Sequence, residues 1–322
     1  MLRLAKLEGV GNIVLEEVDT PPVGPRDVLV KVQTSLISRG SELGGRYLQQ
    51  ASVDASVMGY AASGVVAQVG DAVAELNVGD RVAALKPHAE YVVANLDDQR
   101  HRPPVVKLPD SASGDDGMMW PFCTSGCMWA QNADIKPGDD VVVVGQGLIG
   151  STMMQLVRRW EPGRVIAIDA LPLRCEIARR IGADEVIDAS AADPVERVHA
   201  LTGGRGARIV IEAVGGKWAA QAFPQIQRMV AHGGNVLLIG LYQDGPLPLD
   251  ASLAMAHRII GGGSGSTPRP VFSDMALEIL ASGTFRTADM VTHRFPAARA
   301  REAFDLLYEH PGEALGVALV WE

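Results

Sequence analysis

Cysteine is scarce in this 322-residue chain, with Cys123, Cys127 and Cys175 its only three. A small, odd number excludes a disulfide framework and suits a reducing compartment in which the thiols stay free. Long apolar runs are missing too. No stretch reaches the eighteen consecutive apolar residues read as a membrane span, and the opening Met1-Leu2-Arg3-Leu4-Ala5-Lys6-Leu7-Glu8 lacks the apolar core of a signal peptide. A cytoplasmic location is expected. Basic runs are absent as well, and the formal net charge is −9. With nothing to neutralise phosphates, the chain is expected to bind neither nucleic acid nor a membrane, and to act on a small-molecule substrate.

What is present is a chain 47% hydrophobic and 21% charged with 35 glycines, the profile of an α/β enzyme with many tight turns. Its length exceeds what one core usually supports, so two domains are expected. The first hundred residues read as short strands between turn signals: Asp27 to Gln33, Ala62 to Gly70, Gly79 to Leu85 and Ala89 to Ala94. Pro103-Pro104 and Pro109 then punctuate the approach to a boundary. From about Asp140 the texture changes. Six short apolar runs, at Val141 to Val144, Val165 to Ile168, Glu185 to Ile187, Ile209 to Ile211, Val236 to Ile239 and Arg258 to Ile260, alternate with segments of helical spacing. That alternation predicts a parallel sheet covered by helices on both faces. After Gly263 a helix from Ala297 to His310 and a strand from Gly316 to Trp321 are expected, in a segment able to return to the first domain.

The run at Val141 ends in Gly145-Gln146-Gly147-Leu148-Ile149-Gly150, with a helical segment directly after it. A lone GxGxxG is weak, but strand before and helix behind give it the dinucleotide-binding form. The first glycine makes the bend, the second lets the backbone approach a pyrophosphate, and the third lets the helix pack on the sheet. Asp169, 24 residues after Gly145, ends the next run, close to the offset of ~20 expected of a ribose-binding acid. A carboxylate there repels a 2′-phosphate, which favours NAD over NADP. Arg174 either reaches the adenosine ribose or a 2′-phosphate, or lies on a solvated helix face.

At this point the chain resembles a medium-chain dehydrogenase/reductase, the superfamily of the zinc alcohol dehydrogenases and the zinc-free quinone reductases. The carriers are Gly59 in VMGYAASGVVAQVG, Val78-Gly79-Asp80-Arg81-Val82, Ala89-Glu90-Tyr91-Val92, Lys136-Pro137-Gly138-Asp139, the glycine turn, and Ala178-Arg179-Arg180-Ile181-Gly182-Ala183-Asp184. The resemblance implies an α/β protein: a GroES-like, β-rich catalytic domain at 1–121, an inserted doubly wound Rossmann domain with a six-stranded parallel sheet at 122–263, and a return to the catalytic domain at 264–322. It also implies a homodimer or homotetramer. Departures from the family pattern are equally informative. Arg39 stands where zinc members have a cysteine ligand, Tyr60-Ala61 where they have His-Glu, and Trp120-Pro121 near the third ligand; the interval from Val82 to Glu90 has no cysteine for a structural zinc. No zinc is expected.

Without a metal, another group must stabilise the oxyanion and move a proton. By resemblance, Ser41 matches the relay hydroxyl, Glu42 the acid or histidine beside it, and Tyr60 a position facing the cleft. Tyr60 either donates a hydrogen bond to the oxyanion or is a packed aromatic. An Arg39–Glu42 pair would bind a polar substrate or, by preference, form a salt bridge holding the loop. Thr124 matches a threonine lying against the nicotinamide. Val214-Gly215, Ile239-Gly240-Leu241 and Gly261-Gly262-Gly263 end later strands, where such sheets present ligands. His88, before the AEYV strand, is a minor proton-relay candidate, and Cys123 and Cys127 share one helical face as small buried residues. The leading expectation is NAD(H)-dependent interconversion of a secondary alcohol and a ketone of polyol, cyclitol or natural-product type. Alternatives are NAD(P)H-dependent reduction of a C=C bond, as in enoyl and quinone reductases, and a non-catalytic dinucleotide binder.

Overall fold

The computed structural model describes residues 1–98, 103–241, 245–262 and 270–321, in two compact units. Residues 1–124 and 268–322 form the first, and residues 125–267 the second. The predicted boundary at 263/264, and Gly263 itself, lie outside the described residues.

The first unit opens on a hairpin that the sequence pattern did not reveal, β1 (Leu2–Lys6) paired with β2 (Ile13–Glu17). The pattern hides it because Lys6, polar by type, is fully buried there, its ammonium held by the carbonyls of Gln49 and Ala51. Then come β3 (Asp27–Leu36), β4 (Ala62–Val69), β5 (Arg81–Ala84), β6 (Tyr91–Asn95) and β7 (Val105–Lys107). Val28, Val30 and Val32 recur with the period of two that gives a strand one buried face. In β6 that face belongs to Val92 and Ala94, so Tyr91 is only half-buried.

Helix Gly114–Asn132 follows, and the division between the units falls inside it. The second unit carries β8 (Asp140–Val144), β9 (Arg164–Asp169), β10 (Glu185–Asp188), β11 (Ala207–Glu212), β12 (Val230–Leu238) and β13 (Arg258–Gly261). They form one parallel sheet in the order β10-β9-β8-β11-β12-β13. Val141, Val142 and Val143 are fully buried in its centre, as expected of β-branched residues in a sheet covered on both faces. Strand order reverses between β8 and β11, which makes the carboxyl ends of these two strands the switch point where such sheets take ligands.

The chain then returns to the first unit with β14 (Val291–Pro296), helix Ala300–Glu309 and β15 (Gly316–Val320). These extend the first sheet to β14-β15-β3-β4-β5-β7, with β6 also paired to β3. Phe304, Leu307 and Trp321 join Leu4, Val30 and Ile37 in its core. The end of the chain thereby helps to build the surroundings of the residues just after β3.

Candidate active site

In the second unit every expected cofactor residue lies at the carboxyl edge of the parallel sheet. The turn Gly145–Gly150 follows β8, Asp169 ends β9, Val214 follows β11, Ile239 to Leu241 follow β12, and Gly262 follows β13. Gly145 has a φ of +90°, a conformation glycine adopts without strain. Helix Leu148–Leu156 begins at its cap Gly147, so its first backbone N–H groups have no partner within the helix. Among the described residues nothing lies within 4 Å of where a Cβ on Gly147 would sit, whereas one on Gly150 would lie 1.7 Å from the Gly145 carbonyl oxygen. The helix end is therefore open at Gly147 and packed on the strand end at Gly150, a cradle that fits a pyrophosphate.

Asp169 is buried beside this turn. Its Oδ2 accepts from the Gln146 N–H at 2.6 Å, its Oδ1 from the Leu171 N–H at 2.9 Å, and the Arg174 Nη1 lies 3.6 Å from Oδ2. A carboxylate has about four acceptor sites, so acceptor capacity remains for ribose hydroxyls. The buried Oε1 of Gln146 has no hydrogen-bond partner among the described residues, although its Nε2 donates to the Val143 carbonyl. Burial pushes the nearby Cys175 thiol up, and the Asp169 carboxylate adds to the effect. All three cysteines are buried, and none is joined in a disulfide.

Glu212 is an acid the sequence reading passed over. Fully buried at the end of β11, it accepts from the N–H groups of Val214 (2.8 Å), Gly215 (3.0 Å) and Gly240 (3.2 Å). It thus ties the two turns expected beside the nicotinamide to each other. The available signal was a lone carboxylate closing the otherwise apolar run Ile209-Val210-Ile211.

In the first unit the residues after β3 form a wide helical turn of π type, Arg39–Tyr47, in which the Leu48 N–H reaches back five residues to the Leu43 carbonyl. Ser38 caps it in position, yet its hydroxyl makes no capping bond; Ser38 Oγ accepts from the Tyr60 hydroxyl at 2.7 Å. Glu42 takes over at the helix start, its Oε1 accepting from the Ser38 N–H at 2.8 Å. An acid reaching back to the cap N–H is the capping-box arrangement, displaced by one residue in this wider winding. Glu42 Oε2 meets His88 Nε2 at 2.9 Å, and His88 Nδ1 lies 2.8 Å from Ser35 Oγ, which accepts from the Trp321 indole N–H at 2.9 Å. Gly59 makes room for this ring, since a Cβ there would lie 2.5 Å from His88 Cδ2.

This arrangement corrects one expectation. Glu42 does not pair with Arg39: the π winding sends Glu42 inward to His88, while Arg39 is exposed and its Nε donates to the Leu307 carbonyl at 3.1 Å. Ser41 is half-buried, and the hydroxyl that meets Tyr60 belongs to Ser38 instead. Tyr60 is half-buried and packs on Phe122 at 5.4 Å between ring centres, so it is both a packed aromatic and the carrier of a polar tip. Thr124 is buried, its hydroxyl donating to the Trp120 carbonyl, and the Trp120 indole donates to Ser273. Among the described residues no group of three or more His, Cys, Asp or Glu is placed to hold a metal ion.

Two sequence families match the chain over most of its length. The alcohol dehydrogenase GroES-like domain matches residues 24–119, and the family described as zinc-binding dehydrogenase matches residues 149–282. The sorbitol dehydrogenase of Bacillus subtilis strain 168 is 24% identical over 98% of this chain and 96% of its own. The human sorbitol dehydrogenase is 28% identical over 93% of this chain and 90% of its own. The structure of alcohol dehydrogenase TADH from Thermus sp. ATN1 superposes with a TM-score of 0.83 at 26% identity, covering all of both chains. The chain belongs to the medium-chain dehydrogenase/reductase superfamily, in its zinc-type alcohol dehydrogenase-like branch. This dehydrogenase has the superfamily's fold, a GroES-like unit and a six-stranded parallel Rossmann sheet, and it is an alcohol dehydrogenase-like oxidoreductase. No helix among its described residues is long and apolar enough to cross a membrane.

Proposed function

We propose that this dehydrogenase interconverts a secondary alcohol and a ketone with NAD(H) and without zinc, Tyr60 exchanging the proton at the substrate oxygen. The observation that carries this reading is the Tyr60–Ser38 hydroxyl pair, in which Tyr60 matches a ligand position of the zinc members and Ser38 directly precedes another, Arg39. Zinc needs three or four sulfur, imidazole or carboxylate donors. The guanidinium of Arg39, the phenol of Tyr60, the methyl of Ala61 and the indole of Trp120 do not fit it. The sorbitol dehydrogenases among the relatives act, by name, on a polyol, which supports a polyhydroxylated substrate class.

The Gly145–Gly150 turn and Asp169 would hold the dinucleotide, which when bound would supply or accept the hydride. Charge then develops on the substrate oxygen, and a hydroxyl donor aimed at it stabilises that charge. Tyr60 can give its proton to this oxygen. Ser38 Oγ, an acceptor from Tyr60 at 2.7 Å, can turn its own proton toward the phenolate that results, because a serine hydroxyl both donates and accepts. In the oxidative direction the same two hydroxyls act in reverse.

Turnover of ketones by NADH, unaffected by chelators and without stoichiometric zinc in elemental analysis, is the expected result. Turnover of enones or quinones alone would replace it with C=C reduction, and dinucleotide binding without any turnover would leave a non-catalytic binder. For the cofactor, Asp169→Asn removes the charge facing a 2′-phosphate and keeps an oxygen for the Gln146 N–H. The ratio of kcat/KM for NADP over NAD is expected to rise at least about fivefold, since a charge removed at ~4 Å is worth ~1 kcal/mol or more. An unchanged ratio would assign the preference to another residue.

A further inference from the structure

Beneath the Tyr60–Ser38 pair lies a set of polar side chains for which hydride transfer has no direct use. Glu42 and His88 are both fully shielded from solvent and 2.9 Å apart, and they come from segments 46 residues distant in sequence. His88 is clamped from several sides: its N–H donates to the Met58 carbonyl, its carbonyl accepts from Leu4, and its ring occupies the space left by Gly59. Ser35 on β3 and Trp321 at the end of β15 complete the set. Buried charged and polar groups are costly unless each one is satisfied, and here each has a hydrogen-bond partner.

We propose that Glu42 and His88 are positioning residues that hold the Ser38 hydroxyl against Tyr60, with His88 fixed as its neutral Nε2–H tautomer. This rests on the reading of Tyr60 as proton donor. The tautomer follows from the donors available. An indole N–H can only donate, so Ser35 Oγ accepts from Trp321. A carboxylate can only accept, so His88 Nε2 carries its proton toward Glu42, and in the neutral ring Nδ1 then accepts the Ser35 hydroxyl proton. The other Glu42 oxygen receives the Ser38 N–H and so fixes the Ser38 backbone, while the Ser38 hydroxyl makes no capping bond and meets Tyr60. In zinc members a metal orients the reacting oxygen; in this chain a buried chain of hydrogen bonds orients the hydroxyl that replaces it.

Long-range proton–nitrogen spectra of the full-length protein labelled at histidine nitrogen, with the His88 signals assigned by their loss in His88→Gln, test the pair independently of activity. The expected wild-type signature is a protonated Nε2 and an unprotonated Nδ1; a protonated Nδ1 would overturn the assignment. In Glu42→Gln the Ser38 N–H still requires an acceptor, so the amide oxygen must face it and the amide NH₂ must face His88. Nε2 then becomes an acceptor, and the tautomer is expected to invert to Nδ1–H. Misplacing Ser38 and Tyr60 is expected to lower kcat about 10²-fold with the dinucleotide KM unchanged. Should Glu42→Gln not fold, Ser35→Ala, which removes only the donor to Nδ1, is expected to lower kcat roughly fivefold, the loss of one hydrogen bond. Inversion of the tautomer with kcat unchanged, or unchanged kcat in Ser35→Ala, would overturn the positioning role. Wild-type kcat in Tyr60→Phe would instead sink the donor reading and leave the spectra to stand alone.

Discussion

Tyr60→Phe is expected to lower kcat by ~10²–10⁴, the usual contribution of a positioned acid or base, with the dinucleotide KM close to its wild-type value. The substitution removes one oxygen atom and keeps the ring. Packing on Phe122 is therefore preserved, and the folded state loses the Tyr60–Ser38 hydrogen bond, about 1 kcal/mol. A thermal melt within a few degrees of wild type is the matching expectation. Equal losses in kcat and kcat/KM would place the missing interaction in the transition state alone. A decrease in kcat smaller than about threefold would reduce Tyr60 to the packed aromatic that its contact with Phe122 also describes. The companion variant Ser38→Ala leaves the phenol in place and removes its acceptor, so its effect on kcat is expected to be the smaller of the two.

The Rossmann unit was legible because its signals are local. Val141 to Val144 are β-branched and consecutive, the glycine turn follows at once, and Asp169 ends the neighbouring run, so a reader needs only thirty adjacent residues to place the cofactor edge. The polar set in the first unit is non-local. Ser35 and Trp321 are 286 positions apart, and Glu42 and His88 are 46 apart; no periodicity joins them. Local winding misled the reading as well. Spacing alone brings Arg39 and Glu42 near each other on an ordinary helix, but the π turn separates them and replaces the expected salt bridge with a capping acid directed at His88. The same turn explains why Ser38 faces Tyr60 although Ser41 matches the family's relay serine. His88 was visible as a histidine before a strand, but its partner could not be read without the fold.

Gly150→Ala is expected to abolish measurable dinucleotide binding, and Gly147→Ala to weaken it in a protein that is otherwise intact. The two glycines stand three residues apart in one turn, yet their surroundings differ in kind. A Cβ on Gly150 would lie 1.7 Å from the Gly145 carbonyl oxygen and 2.8 Å from its carbon, both main-chain atoms that no rotamer change can move aside. Gly145 cannot retreat easily, because its N–H donates to the Ile168 carbonyl at 2.8 Å and its φ is +90°. The helix Leu148–Leu156 must therefore shift off the sheet. Alanine's better helix propensity returns only ~1 kcal/mol, against ~1–3 kcal/mol or more for overpacking, so stability falls as well. A displacement of about 1 Å at the helix start would cost on the order of 10²-fold in anything held there. At Gly147 no atom of the described residues lies within 4 Å of the added methyl, so the melting temperature without dinucleotide should not change. Any loss of affinity there comes from the ligand's own approach to the backbone. Fluorescence titration with NADH beside melts of both ligand-free variants separates the two effects, and wild-type affinity in Gly147→Ala would show that the pyrophosphate does not approach the backbone at Gly147.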